Sequence, residues 1–281
     1  MSEGRRWRPT TAGARRGALA MLAAVAWTAG AAAIAGAQQD TVKKTSPHDA
    51  QPERPTVATH AGTVARGWIE IESGVERDRG PGDGRAVIGS LVTKIGLAPR
   101  VQFSIFTNVT APGDVGAGFG DAAVGVKWRL LEDHPVLGDF AILPSVKFPT
   151  GSLDKGTGTG TTDASFLLIS SRDVGPVHID LNAGWTHRSG DGGDAPVNAW
   201  VWTASFGGVV DGPLGWTAEF YGYPGTGGAA GASPVVALLA GPTYAAKSWL
   251  VFDVGFITPI AGGQPRALYA GVTYNIGQVF R

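Results

Sequence analysis

From Arg66 onward the chain divides into segments of about ten residues in which apolar and polar side chains alternate, each bounded by Gly, Pro, Asp or Asn. A period of two sends successive side chains to opposite faces of a strand, and about ten residues is what a tilted strand needs to cross a bilayer. In "GFGDAAVGVKWRLLED" (118–133), Ala122, Val124, Val126, Trp128 and Leu130 share one face, and Asp121, Ala123, Gly125, Lys127 and Arg129 share the other. The same sorting holds in "RVQFSIFTNVT", "DFAILPSVKFPTG", "VHIDLNAGWTHR", "LGWTAEFYGY" and "ALYAGVTYNIGQVF". "FLLISS" and "VVALLAG" are apolar on both faces and read as strands by position. The total is about twelve, an even number as in bacterial outer-membrane barrels.

The connections sharpen this reading. Long glycine-rich stretches alternate with short ones: "DRGPGDGR" then "LAPR", "PTGSLDKGTGTGT" then "DVGP", "SGDGGDAP" then "DGPLG", "PGTGGAAGAS" then "AAKS". Long extracellular loops and short periplasmic turns are the outer-membrane pattern, with both termini in the periplasm. A β-sandwich has no reason to keep that order. The topology places Trp128, Trp216, Tyr244 and Tyr274 towards the periplasmic side, and Phe148, Trp185, Trp200 and Trp202 towards the outer side, as two interfacial girdles. Lys127 and Arg129 then face the lumen, since a lipid-facing charge near the midplane costs about 2–4 kcal/mol. The fold class is all-β: an antiparallel transmembrane barrel over residues 65–281.

Residues 1–37 read as a secretory signal peptide: Arg5, Arg6, Arg8, Arg15 and Arg16 precede an apolar run ending in Ala35-Gly36-Ala37. Its removal changes the balance of 23 basic and 23 acidic residues to about −4, which is no footprint for nucleic acid. Residues 38–64 are polar, proline-containing and aperiodic, and read as a flexible periplasmic leader, with an ordered plug or an N-terminal strand as the alternative. The chain has no cysteine, and 43 glycines in 281 residues would weaken helices throughout. The expected place is the outer membrane of a diderm bacterium after Sec-type export, with membrane lipid, a small-molecule solute and the barrel-insertion machinery as partners.

"GFGDAAVGVKWRLL" (118–131), "LPSVKFPTG" (143–151), the Gly/Thr loop leading into Asp163, and "SSRDVGPVHIDLNAGWTHR" (170–188) resemble the outer-membrane family named for the MetA-pathway of phenol degradation. That resemblance implies a barrel that passes small, aromatic or hydrophobic solutes by diffusion. One departure is the terminus, where Phe280 is followed by Arg281 although such barrels usually end in an aromatic residue.

The inward register nominates Glu70, Glu72, Lys127, Arg129, Lys147, Asp163, Asp180, Arg188 and Glu219 as pore-lining residues. The competing reading is that these charges pair across the lumen in a closed structural or adhesive barrel. Barrels of eight strands are filled by side chains and those of sixteen leave a wide channel, so twelve lies between. The glycine-rich stretches "PTGSLDKGTGTGTTD" and "GAGFGD" do not sit between a buried parallel strand and a helix, so neither is a phosphate cradle. His187 and Ser189 resemble the His-x-Ser of outer-membrane phospholipase A, but the residues after the serine are Gly190-Asp191 and the sequence offers no evident orienting Asn. The expectation is therefore no enzyme, no cofactor and no metal, with calcium between loop aspartates such as Asp191 and Asp194 the one metal considered. With no nucleotide site and no evident plug domain, energy coupling is not expected.

Overall fold

The computed structural model describes residues 46–79, 86–112, 116–193 and 195–281. Residues 1–37, expected to be a signal peptide, and residues 38–45 lie outside this range, as does Asp194. The strands are β1 (Trp68–Arg79), β2 (Ala86–Ala98), β3 (Val101–Pro112), β4 (Gly118–Phe119), β5 (Ala122–His134), β6 (Gly138–Phe148), β7 (Asp163–Val174), β8 (Val177–Arg188), β9 (Asn198–Asp211), β10 (Leu214–Tyr223), β11 (Val235–Lys247), β12 (Leu250–Ala261) and β13 (Arg266–Gln278).

Apart from β4 and β5, each strand pairs antiparallel with its neighbours in sequence, and β1 pairs with β13 from Trp68↔Gln278 to Arg79↔Arg266, which closes the sheet. Both β4 and β5 pair with β3, through Val109↔Phe119 and Phe106↔Ala123, so they are two pieces of one spanning strand interrupted at Gly120-Asp121. The wall therefore has the twelve strands expected, and closure leaves no unpaired edge. The registers Ala98↔Val101, Val174↔Val177, Asp211↔Leu214 and Lys247↔Leu250 leave two-residue turns, all at the periplasmic end.

The alternation read from the sequence becomes an inside and an outside. On β5, Val126 and Trp128 are exposed on the outer wall while Lys127 between them is fully buried. Val254 and Phe256 of β12 and Leu168 of β7 belong to the same outward apolar belt. Trp185 and Trp200 lie together at its outer rim, with ring centres 6.4 Å apart, and Trp249 and Tyr274 at its periplasmic rim, 5.5 Å apart. The two ambiguous segments also resolve. In β7, Ile169 is buried inside and Leu168 exposed outside; in β11, Ala237 and Leu239 are inside and Val236 and Leu238 outside. They look apolar on both faces because parts of the lumen are themselves apolar.

One expectation is corrected here. Residues 46–64 are not a flexible leader: they run inside the barrel, with Glu53, Thr56, Ala58, Thr59, Ala61 and Val64 almost wholly buried.

The lipid-facing assignment predicts that Val254→Arg lowers the free energy of unfolding by about 2–4 kcal/mol. Denaturant titration of the barrel refolded into vesicles measures this, and an unchanged midpoint would place Val254 away from lipid.

Candidate functional site

Buried charged side chains converge in the barrel's interior, and the inserted segment organises them. The segment enters at the periplasmic end, where Ala50 N donates to Ser248 O at 2.8 Å and the His48 ring meets Asn275 O at 2.9 Å. It climbs to mid-barrel, where the Arg54 guanidinium lies across Gly74 and Gly271; a side chain at either glycine would overlap it. It then descends past Ser171 and Gln102 to Arg66, which bridges Gly96 before β1 begins.

What holds this hairpin is its own backbone. Gln51 N donates to Glu70 at 2.6 Å and Glu53 N to Glu72 at 2.5 Å, two wall carboxylates spaced by two residues matching two N–H groups spaced by two. At the tip, both oxygens of Glu219 accept, from Val57 N at 2.7 Å and Ala58 N at 2.6 Å. Asn182 meets Thr59 twice, accepting from its N–H at 2.7 Å and donating to its carbonyl at 2.9 Å, which mimics a β-bridge with a side-chain amide. Ala61 N and Val64 N donate to Ser171 Oγ at 2.7 Å and Gln102 Oε1 at 2.9 Å. Hydrogen bonds to charged acceptors contribute roughly 1.5–3 kcal/mol each.

The charges add a second clamp. Lys94 Nζ lies 2.6 Å from Glu70 and 2.7 Å from Glu72, and Lys127 Nζ binds both Glu53 and the carbonyl of His60. Burial alone would raise the Glu53 carboxyl; the ammonium groups of Lys127 and Lys94 outweigh it and hold its pKa below the ordinary value. Arg54 reaches Asp253 at 3.3 Å and Ser90 Oγ at 3.0 Å.

A separate network closes the outer half. Lys147 sits 2.9 Å from Asp163 and 3.2 Å from Asp121, and Arg188 lies 3.4 Å from Asp163. Asp121 also accepts from Gly151 N and Thr159 N, both at 2.9 Å, which folds the loop between β6 and β7 down into the lumen.

Every residue nominated from the register points inward. Glu70, Glu72, Lys127 and Glu219 hold the inserted segment, and Lys147, Asp163 and Arg188 hold the loop. Asp180 accepts from Ser171 Oγ at 2.5 Å, and half-buried Arg129 pairs with Glu132 and Asp139 at the periplasmic mouth. Seven of the nine nominees thus fall into two separated groups, and Asp180 and Arg129 make their contacts apart from both. Lys94, Asp121, Asn182 and Gln102 were overlooked as site residues, although their parity already faced them inward. Glu53 and Arg54 carried no such signal, because their segment has no period.

Outside the barrel, the His187 ring meets Asn198 Oδ1 at 3.3 Å, so the fold supplies the Asn that the sequence did not show. Ser189 is held elsewhere: its Oγ accepts from Thr162 N at 2.9 Å. Asp191 accepts from Gly193 N at 2.8 Å within its own loop, and the described residues contain no cluster of three or more metal-ligating side chains.

The family described as "Putative MetA-pathway of phenol degradation" matches residues 53–275. The chain belongs to this family. The match begins at Glu53, inside the inserted segment, and so takes in most of the hairpin as well as the wall. Among solved structures, this MetA-pathway barrel is similar to the COG4313 outer membrane channel from Pseudomonas putida F1 at 12% identity and a TM-score of 0.60, covering 77% of this chain and 98% of that one. It also resembles the NanC porin, at 11% identity and a TM-score of 0.50, covering 73% and 98%. These likenesses show an outer-membrane barrel fold. No curated protein sequence matches the chain.

Glu219→Ala removes two acceptors at the hairpin tip, a loss of roughly 3 kcal/mol or more. In an Ala58→Cys background, whose thiol is the chain's only one, labelling by a membrane-impermeant maleimide should become at least tenfold faster. Equal rates in a barrel with normal heat-modifiable migration would show that Glu219 does not hold the tip.

Proposed function

We propose that the protein is an outer-membrane channel through which small, aromatic or hydrophobic solutes diffuse, closed at rest by residues 46–64. The supporting observation is the manner of closure. The segment joins the wall mainly through backbone N–H groups accepted by wall side chains, contacts that can be exchanged for water when it withdraws.

The wall itself argues for a channel with a resting closure. Twelve strands enclose more space than their own side chains fill, and here the remainder is taken up by a segment entering from the periplasmic end and by a loop entering from outside. The apolar lumenal patches favour the finer reading of the solute. One gathers Tyr221, Tyr223, Leu239, Ile257 and Tyr269 around Val57, and the other Val92, Phe106, Leu143 and Ile169 around Ala61. A path for ions or sugars would have little use for them. The diderm outer membrane, Sec-type export, contact with bilayer lipid and insertion by the barrel machinery belong to the same reading.

The pairing of most lumenal charges, such as Lys94 with Glu70 and Glu72 and Lys147 with Asp121 and Asp163, favours the rival, a permanently closed scaffold. Planar-bilayer recording separates the two. Deletion of residues 46–60, which spares the final approach to β1, should convert brief or absent openings into steady conductance at least several-fold larger. If the deleted barrel folds and stays as silent as the intact protein, the channel reading fails.

A further inference from the structure

The outside of the wall carries its charge unevenly at the outer end. On β1, Val75, Arg77 and Arg79 share the outward parity and are all exposed, while Asp78 between the two arginines is buried inside. On the adjacent strand β13, Arg266 and Leu268 are exposed with the same parity, and Ala267 and Tyr269 point inward. The register sets Arg79 directly opposite Arg266, and Arg77 between Leu268 of β13 and Val87 of β2. Leu268 is 67% exposed and Val87 41%, so Arg77 stands at the upper edge of the apolar belt with lipid-facing side chains on both sides.

The rest of the outer rim is different. At the outer ends of β3, β6, β7, β8 and β9 the exposed outward residues are Val109, Phe148, Phe166, Trp185 and Trp200. Arg54, Arg129 and Arg188 each have a carboxylate partner, but among the described residues no ion pair engages Arg77, Arg79 or Arg266. Like charges directly opposite in a strand pair repel, and their Cα atoms are only about 4.5–5.5 Å apart. Arg77 lies two residues below, about 7 Å along the strand. Guanidinium groups held this close call for an anion between them, and their planar forks match phosphate oxygens bidentately. Position decides where that anion comes from. A charge on the lipid face costs less as it nears the interface, and the arginine stem covers apolar surface while its head reaches the polar layer. The anion at that height, over that belt, is the head group of a lipid.

We propose that this flank of β1 and β13 binds a phosphorylated, multiply acylated glycolipid of the outer leaflet, its phosphates meeting Arg77, Arg79 and Arg266 and its acyl chains lying on Val75, Val87 and Leu268. The proposal rests on the outer-membrane reading of the wall and is independent of whether the lumen conducts. The lipid is held at one place on the circumference, because the other described strands offer its phosphates no outward arginine at that end.

The test is native mass spectrometry of the full-length barrel, refolded in a neutral detergent, with diphosphoryl lipid A and with the same lipid after removal of its phosphates. The diphosphoryl form should bind at least tenfold more tightly. The double variant Arg79→Gln/Arg266→Gln should lose at least fivefold of that affinity and leave the dephosphorylated lipid unchanged, while Arg100→Gln at the periplasmic turn should match the parent. If the double variant lacks heat-modifiable migration, Arg77→Gln takes its place, with a smaller loss confined to the phosphorylated lipid. Equal binding of the two lipids, or an unchanged affinity in the variant, would overturn the proposal. So would displacement of the lipid by inorganic phosphate in modest excess, which would mark a site for soluble anions. A folded, heat-modifiable barrel that is indifferent to phosphate defeats this proposal alone; a chain that never forms such a barrel defeats the outer-membrane reading and the proposal with it.

Discussion

A peptide N–H removed from water must find an acceptor, and this requirement shapes both shells of the molecule. In the wall it forces closure, because an open sheet would leave an unpaired edge against lipid. Within the lumen it governs the inserted segment, which has no strand partner of its own. The wall meets that need with side chains: the carboxylates of Glu70, Glu72 and Glu219 and the amides of Asn182 and Gln102 stand where a neighbouring strand's carbonyls would stand. The segment is bound much as an extra strand would be, yet without a ladder that fixes it permanently.

The charges of the lumen make sense on the same footing. A lone buried carboxylate would be strongly unfavourable, so Glu70 and Glu72 bring Lys94 with them, and Glu53 arrives opposite Lys127. Breaking such a pair by removing one member is strongly destabilising, roughly 3–5 kcal/mol. Withdrawal of the segment strips Lys127 of Glu53 and Asp253 of Arg54 together, so solvent must enter as the segment leaves. The closure therefore behaves as a unit, from Gln51 to Ala61.

Much of the wall was legible in the sequence because its physics is local and periodic. Lys127 between Val126 and Trp128 declares two faces wherever the chain is placed, and two-residue turns such as Gly175-Pro176 mark the end at which the chain reverses. The nominated charges were inward for the same reason. The inserted segment was not legible. Its polar, proline-containing stretch "DAQPERPTVATHAG" has the composition of a free leader, and its order comes from acceptors contributed by five strands outside it. No period within it could reveal that. The partition of the charges into two networks was hidden likewise, since parity gives the side of the wall and not the depth or the partner.

The central claim is that residues 46–64 close the lumen reversibly, and a redox lock tests it most directly. The chain has no cysteine of its own, and Thr59 and Asn182 are held together by a 2.7 Å contact, so Thr59→Cys/Asn182→Cys ties the segment to β8 by a single disulfide. Single-channel recording of the same membrane before and after reduction gives the answer. The oxidised protein should remain silent and the reduced protein should open; equal conductance in both states would mean that solutes pass without displacing the segment.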